Sequence, residues 1–225
     1  RASTAYKLYG TQVSSGTARF ETGKFDQAVM VEEGTTNLAT ANQSNFESGN
    51  YTGYSIQSYS GGAGTVAVTT EDKYEGSYSL KIVKNDGGTG EYGVYFNPTP
   101  SMTNGVTYTL SAWVKANVIG KFVIQGNLNG TWQNYATYNG PVNTWQRISG
   151  QATYNGSTAL RIMFTGGDAI AYVDGVQIEQ KSYATSWHLG GATRAAETLT
   201  VPTAGVLSGS EGTVEFWSYI DPSGT

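Results

Sequence analysis

The chain contains no cysteine. That excludes disulfides, thiolate metal sites and a cysteine nucleophile, and leaves stability to packing, hydrogen bonding or a hard cation. His188 is its only histidine, so a zinc centre built from several His or Cys ligands has nothing to draw on. Charged residues make up 13% of the 225, with a formal net charge of −4. Phosphate contact needs clustered Lys and Arg, so nucleic acid is not an expected partner. No segment approaches the roughly 18 consecutive apolar residues of a membrane span. No charged leader runs into an apolar stretch, so neither a membrane contact nor a signal peptide is expected. Arg1 at the start and "DPSGT" at the end read as a piece of a longer or processed chain. No long stretch repeats apolar residues at helical spacing.

What is abundant is glycine, with 30 residues, tyrosine, with 16, and Thr, Ser and Asn; only 5 residues are proline. This composition suits β-proteins of extracellular or virion surfaces. "VTYTLSAWVKA" alternates Val106, Tyr108, Leu110, Ala112 and Val114 against Thr107, Thr109, Ser111, Trp113 and Lys115, the period of a strand. "GKFVIQGNL", "TWQRISGQATY", "ALRIMFTG" and "AIAYVDGVQIEQ" are similar short runs. Gly, Asn and Asp separate them at about 8–12 residues, the spacing of a sandwich or barrel. "SYSLKIV" and "EYGVYFNP" read as two more strands around "KNDGGTG", expected to be a flexible turn. The expected fold is all-β, a two-sheet antiparallel sandwich over about residues 38–181. Residues 1–37 and 182–225 each hold a plausible strand or two, too few for a core of their own. These incomplete β flanks are expected to pair with each other or with further chain.

The middle region resembles carbohydrate-binding modules of the family 4, 9 and 22 type, with a galactose-binding-like jelly roll. "NFESG" (Asn45 to Gly49), "EGSYSLKI" (Glu75 to Ile82), "VTYTLSAWVKA" and "AYVDGVQIEQ" (Ala171 to Gln180) carry the resemblance, in order, across roughly 140 residues. "VEEGTTNLAT" and "QIEQKSYATSW" are similar to phrasing in phage tail and minor structural proteins that carry such modules. "GKFDQAVMVE" and "GSEGTVEFWSYIDPS" resemble pieces of a concanavalin-like (laminin G type) sandwich, which implies a jelly roll inserted into such a domain. The modular resemblance also implies a structural Ca²⁺ joining the first strand to the last, with Glu47 and Asp174 at the family's carboxylate positions and Glu75 a weaker match. Gly175 departs from the family's commoner second Asp.

"NLNGTWQNYATYNG" supplies rings and amides together. Trp132, Tyr135 and Tyr138 offer flat apolar faces for a pyranose, and Asn127, Asn129, Gln133 and Asn134 could bond its rim. The alternative is that Trp132 and one Tyr fold back to seal the sandwich. Strand alternation also turns Trp113, Tyr95, Arg161 and Met163 away from the core, where they would make a second glycan platform unless the flanking segments cover it. No G-x-S-x-G elbow accompanies His188, which is expected to be a surface side chain. Glu71, Asp72, Glu91 and Asp168 are the acids available to a glycosidase pair, a pattern any acidic chain offers. The resulting expectation is a non-catalytic module that contacts a poly- or oligosaccharide. It would belong to a phage tail or cell-surface protein, a trimer if a fibre. The alternatives are a purely structural or oligomerisation domain, or an ancillary domain of a polysaccharide-degrading enzyme.

Overall fold

The structure, a computed structural model, describes residues 26–156 and 159–199, together with 5–6, 12–14, 17, 20–23 and 218. Ten strands build the body: β1 (Tyr54–Tyr59), β2 (Gly64–Thr69), β3 (Ser79–Lys84), β4 (Glu91–Phe96), β5 (Thr107–Ala116), β6 (Phe122–Gly126), β7 (Gln133–Thr137), β8 (Gln146–Thr153), β9 (Leu160–Phe164) and β10 (Ala169–Glu179). They form two antiparallel five-stranded sheets. Sheet A has the order β8-β5-β10-β3-β2, and sheet B the order β7-β6-β9-β4-β1. This is the expected two-sheet sandwich, a jelly roll.

Period-two alternation decides the core. On β5, Tyr108, Leu110, Ala112 and Val114 point inward, where they meet Val94 and Phe96 of β4 and Ile162 and Phe164 of β9 in one apolar cluster. Leu80, Ile82, Leu110, Val94 and Ile162 are at most 1% exposed. Each such side chain contributes about 1.5–3 kcal/mol of burial. Helix α1 (Ala41–Asn45) starts at a capping box, in which Gln43 N–H donates to Thr40 Oγ1 and Thr40 N–H to Gln43 Oε1. It ends at Phe46, whose ring enters the core beside Tyr54.

Residues 30–37 and 184–197 lie side by side against sheet A. Thr35 and Thr36 pair with Arg194 and Thr193, and Glu197 N–H donates to Glu32 O while Glu32 N–H donates to Glu197 Oε2. Asn37 ties this clasp to the body. Its amide donates to Ser44 Oγ, Val176 O and His188 O, and accepts from Ala39 and Ile178 N–H. Beneath the clasp, Arg147 donates to Thr185 O and Ser111 Oγ, and Glu179 accepts from Thr185 N–H and Oγ1. The expected pairing of the two flanks is present where they are described. Of the two sequences expected to be concanavalin-like, "GKFDQAVMVE" is described at Gly23 and residues 26–32, where Phe20–Gly23 pairs with Asp26–Val29, and "GSEGTVEFWSYIDPS" lies outside the described residues except for Ser218.

Two expectations are corrected. The "KNDGGTG" segment is tied down: Lys84, fully buried, donates to Asp86 Oδ1 and Gly88 O, Ala63 and Gly88 N–H donate to Asp86, and Gly87 N–H donates to Asp168. Those bonds hold the Asp86 carboxyl down at about 2. His188 is 5% exposed rather than a surface side chain, because the clasp folds it against sheet A. Its backbone N–H donates to Gln177 Oε1, and burial, then Arg194, lowers the pKa of its imidazole.

Candidate functional site

The outer face of sheet B carries rings and amides at successive outward positions. One row crosses the whole sheet through the register Asn134, Gln125, Arg161, Tyr95 and Ser55, on β7, β6, β9, β4 and β1. The next row holds Thr137, Val123, Met163, Gly93 and Gln57. Val123 and Met163 are fully buried yet lie outside the core cluster, so the side chains on this face cover its floor. Gly93 is needed here: a Cβ would fall 2.5 Å from Met163 Cβ. The Arg161 guanidinium lies 3.4 Å from the ring centre of Trp132 and 4.2 Å from that of Tyr59. Its Nη1 is 3.5 Å from Glu91 Oε2 and 3.9 Å from Met163 Sδ. Burial lowers the Arg161 pKa, while Tyr59 and Glu91 act against that shift. Trp132 and Tyr59 stay 43% and 41% exposed, so both rings are offered to solvent. Gln125 Nε2 donates to Asn134 Oδ1, and Gln125 Oε1 has no hydrogen-bond partner among the described residues.

A cavity lies beside β10, the central strand of sheet A. A β-bulge on β10 skips register between Trp113, opposite Asp174, and Ser111, opposite Gln177. Gly175 takes φ +56° there, a left-handed conformation that suits glycine. The bulge turns Asp174 into a cavity of about 190 Å³ lined by Asn45, Glu47, Tyr74, Glu75, Gly76, Gly175 and Trp187. Asp174 accepts from Tyr74, Glu75 and Gly175 N–H, and Glu47 accepts from Ser77 and Tyr78 N–H. Burial pushes Asp174 up to about 7 against those three amides. Burial and the neighbouring Glu47 push Glu75 to about 7.

The three residues expected to hold calcium therefore share one cavity, with no cationic side chain in its lining. The donors fit a hard cation in kind, being oxygens alone. They do not form a tight ligand cluster: among the described residues no three His, Cys, Asp or Glu side chains are grouped closely enough to hold a metal ion. Glu47 and Asp174 are instead turned onto the amides of the 74–78 loop.

Comparison with known families settles what kind of domain this is. The family model described as carbohydrate binding domain, of the 4 and 9 type, matches residues 38–171, more than half of the chain. The chain belongs to this family. The xylan-binding family 22 module (CBM22-1) of Paenibacillus barcinonensis Xyn10C is similar in fold, with a TM-score of 0.50 and 20% identity over 67% of this chain and 99% of that one. The family 61 module TmCBM61, solved with β-1,4-galactotriose, gives 0.48 and 12% over 64% and 99%. The enzymatically active domain of bacteriophage CBA120 tailspike protein 4 gives 0.45 and 17% over 63% and 21%. No curated protein matches the chain in sequence.

The carbohydrate-binding domain brings together some of the expected ring and cation residues and separates others. Trp132, Tyr95 and Arg161 share the outer face of sheet B. Trp113 does not join them, because β5 belongs to sheet A. It stacks on Tyr74 at 3.8 Å and 10°, under a loop pinned by Asp72 to Lys115 and Trp145, and by Glu71 to Lys81 and Tyr172. Tyr138 is fully buried in the core, and its hydroxyl donates to Pro141 O and Thr144 O. Tyr135 sits at a register shift on β7, packs on the core and accepts from Leu128 N–H. Of the three rings in "GTWQNYATYNG", Trp132 alone stands open. Residues 133–137 of the segment are nonetheless the edge strand of sheet B, since the outer face of that sheet meets solvent and only the inward positions need be apolar. Of the four acids considered for a glycosidase, Glu71, Asp72 and Asp168 are spent on those loop contacts and only Glu91 is on sheet B. The sequence reading missed Tyr59, Gln57 and Gln125. β1 was not recognised as a strand, since the alternating series that begins with Tyr54 and Ile56 ends in Ser58. Tyr54 opposite Ser55 and Gln57 was the available signal.

Proposed function

We propose that this domain binds a poly- or oligosaccharide on the outer face of sheet B and carries out no reaction on it. The observation that carries this reading is the row of Asn134, Gln125, Arg161, Tyr95 and Ser55 beneath the exposed rings of Trp132 and Tyr59. Rings give a pyranose broad rigid contact at low entropic cost. The amides give its hydroxyls directed partners, and leaving such a group unpaired penalises the wrong sugar. The outer face of sheet A is an unsuitable alternative, since the clasp and the 70–78 loop occupy it. Calorimetric titration with xylohexaose, β-1,4-galactotriose and soluble polysaccharides tests the proposal. Binding in the micromolar-to-millimolar range, weakened but still measurable in Trp132→Ala, supports it; no heat with any glycan at millimolar concentration overturns it.

The cavity of Glu47, Glu75 and Asp174 is proposed as a structural Ca²⁺ site. A bound cation there would neutralise two carboxyls that burial disfavours and would link α1, the 74–78 loop and β10. The wider setting is proposed from the sequence resemblance: a phage tail or surface protein, at the virion surface or outside the cell, trimeric if it forms a fibre. Light scattering on the purified chain decides the trimer.

A further inference from the structure

We infer that Arg161 is a positioning residue, which fixes the ring of Trp132 against sheet B and so sets the open face that a sugar would meet. This rests on the reading of sheet B as the glycan face. Trp132 lies between β7 and the turn 127–130, which is closed by Gly130 N–H on Asn127 O. The ring is outside the core cluster and 43% exposed. The group that meets its face is the Arg161 guanidinium, at 3.4 Å. Arg161 is itself 5% exposed and held from several sides. Tyr59 lies against it at 4.2 Å, Glu91 is 3.5 Å from Nη1, and Met163 supports it from below.

The chemistry assigns the roles. A guanidinium is planar and weakly hydrated, so it stacks flat on an indole, whereas the ammonium of lysine is a compact, strongly hydrated point charge that does not. A cation on one face of the indole leaves the other face free. Fixing the ring before the ligand arrives removes an ordering cost from binding. Arg161 therefore contributes to affinity through Trp132 rather than by touching the sugar.

The test compares Arg161→Lys with the unaltered chain, each beside its Trp132→Phe counterpart, so that the emission of Trp132 is read as a difference. Arg161→Gln, which removes the charge but keeps a planar group, is run in parallel should the lysine variant fail to fold. Acrylamide quenching of Trp132 in the free protein is expected to rise in both variants. Affinity for xylohexaose is expected to fall by about two- to fivefold, the factor that loss of one cation–π contact gives. It should not fall further when Arg161→Lys is added to Trp132→Ala. Unchanged quenching overturns the inference, and so does an equal loss of affinity in the Trp132→Ala background, which would mean direct contact with sugar. Raised quenching with no glycan bound by any variant upholds the positioning role and overturns the glycan face instead.

Discussion

Replacing Asn37 by alanine tests how the two connecting segments are held. The amide of Asn37 is fully buried and makes five bonds: to Ser44 Oγ at 3.3 Å, Val176 O at 3.1 Å and His188 O at 3.0 Å as donor, and from Ala39 N at 3.2 Å and Ile178 N at 3.0 Å as acceptor. Ser44 Oγ also donates to Val176 O, so that carbonyl keeps a partner after truncation. The groups orphaned outright are His188 O and the Ala39 and Ile178 N–H. Each buried orphan costs about 1–3 kcal/mol, and neighbouring losses do not add in full. A total near 3–4 kcal/mol is expected, lowering Tm by roughly 6–16 °C for a domain of this size. Asn37→Asp should be worse, since it replaces a donor to two carbonyls by an acceptor and buries a charge. Thermal unfolding followed by near-ultraviolet circular dichroism measures both. A shift under about 2 °C for Asn37→Ala would refute the idea that this side chain fastens both connectors to β10.

The sandwich was legible because its inward series is strict. Tyr108, Leu110, Ala112 and Val114 alternate without a break, and so do Leu160, Ile162 and Phe164. The outward direction of Trp113 was legible on the same grounds. Which sheet it stood on was not, because period two reports a face and says nothing of strand order. Sheet order comes from long-range pairing: β5 beside β10 and β8, β9 beside β4 and β6. Tyr138 was misread for a related reason. Its neighbours are polar, yet its ring plugs the core and its hydroxyl caps Pro141 and Thr144. Local polarity described the loop around it rather than the ring. The carboxylates Glu47, Glu75 and Asp174 were found by resemblance, and they do meet at one cavity. The bulge at Gly175 that aims Asp174 there left only a glycine in a strand as its trace. His188 was misjudged because the clasp that buries it is made of short segments that no strand pattern marks.

Two further outcomes follow from the placement of these side chains. Tyr138→Phe should cost about 1–2 kcal/mol in urea unfolding, through the loss of its bonds to Pro141 and Thr144, and leave glycan affinity unchanged; weakened binding without a stability loss would return that ring to the binding face. The acidic cavity yields a pH dependence with a definite sign. Asp174 and Glu75 titrate at about 7 in the folded chain, against about 4 in the unfolded one. Between those values the folded state holds more protons, so their contribution is full below about pH 4, falls as pH rises and is lost above about 7. For Asp174, 3% exposed, the loss is on the order of 4 kcal/mol at most. His188 works the other way: its lowered pKa favours the folded state above the unfolded value near 6.5 and costs stability as pH falls through the folded one. The readout is therefore the difference between the unaltered chain and Asp174→Asn, which leaves His188 in place. With a chelator present, Asp174→Asn should unfold at higher urea than the unaltered chain at pH 8, with the gap closing towards pH 5. Adding Ca²⁺ at pH 8 should stabilise the unaltered chain and leave Asp174→Asn nearly unmoved, since a cation binds the ionised carboxylates and competes with protons. An Asp174→Asn variant less stable than its parent at pH 8 in chelator would mean that the three amide bonds outweigh the buried charge, and the cavity would then need no cation.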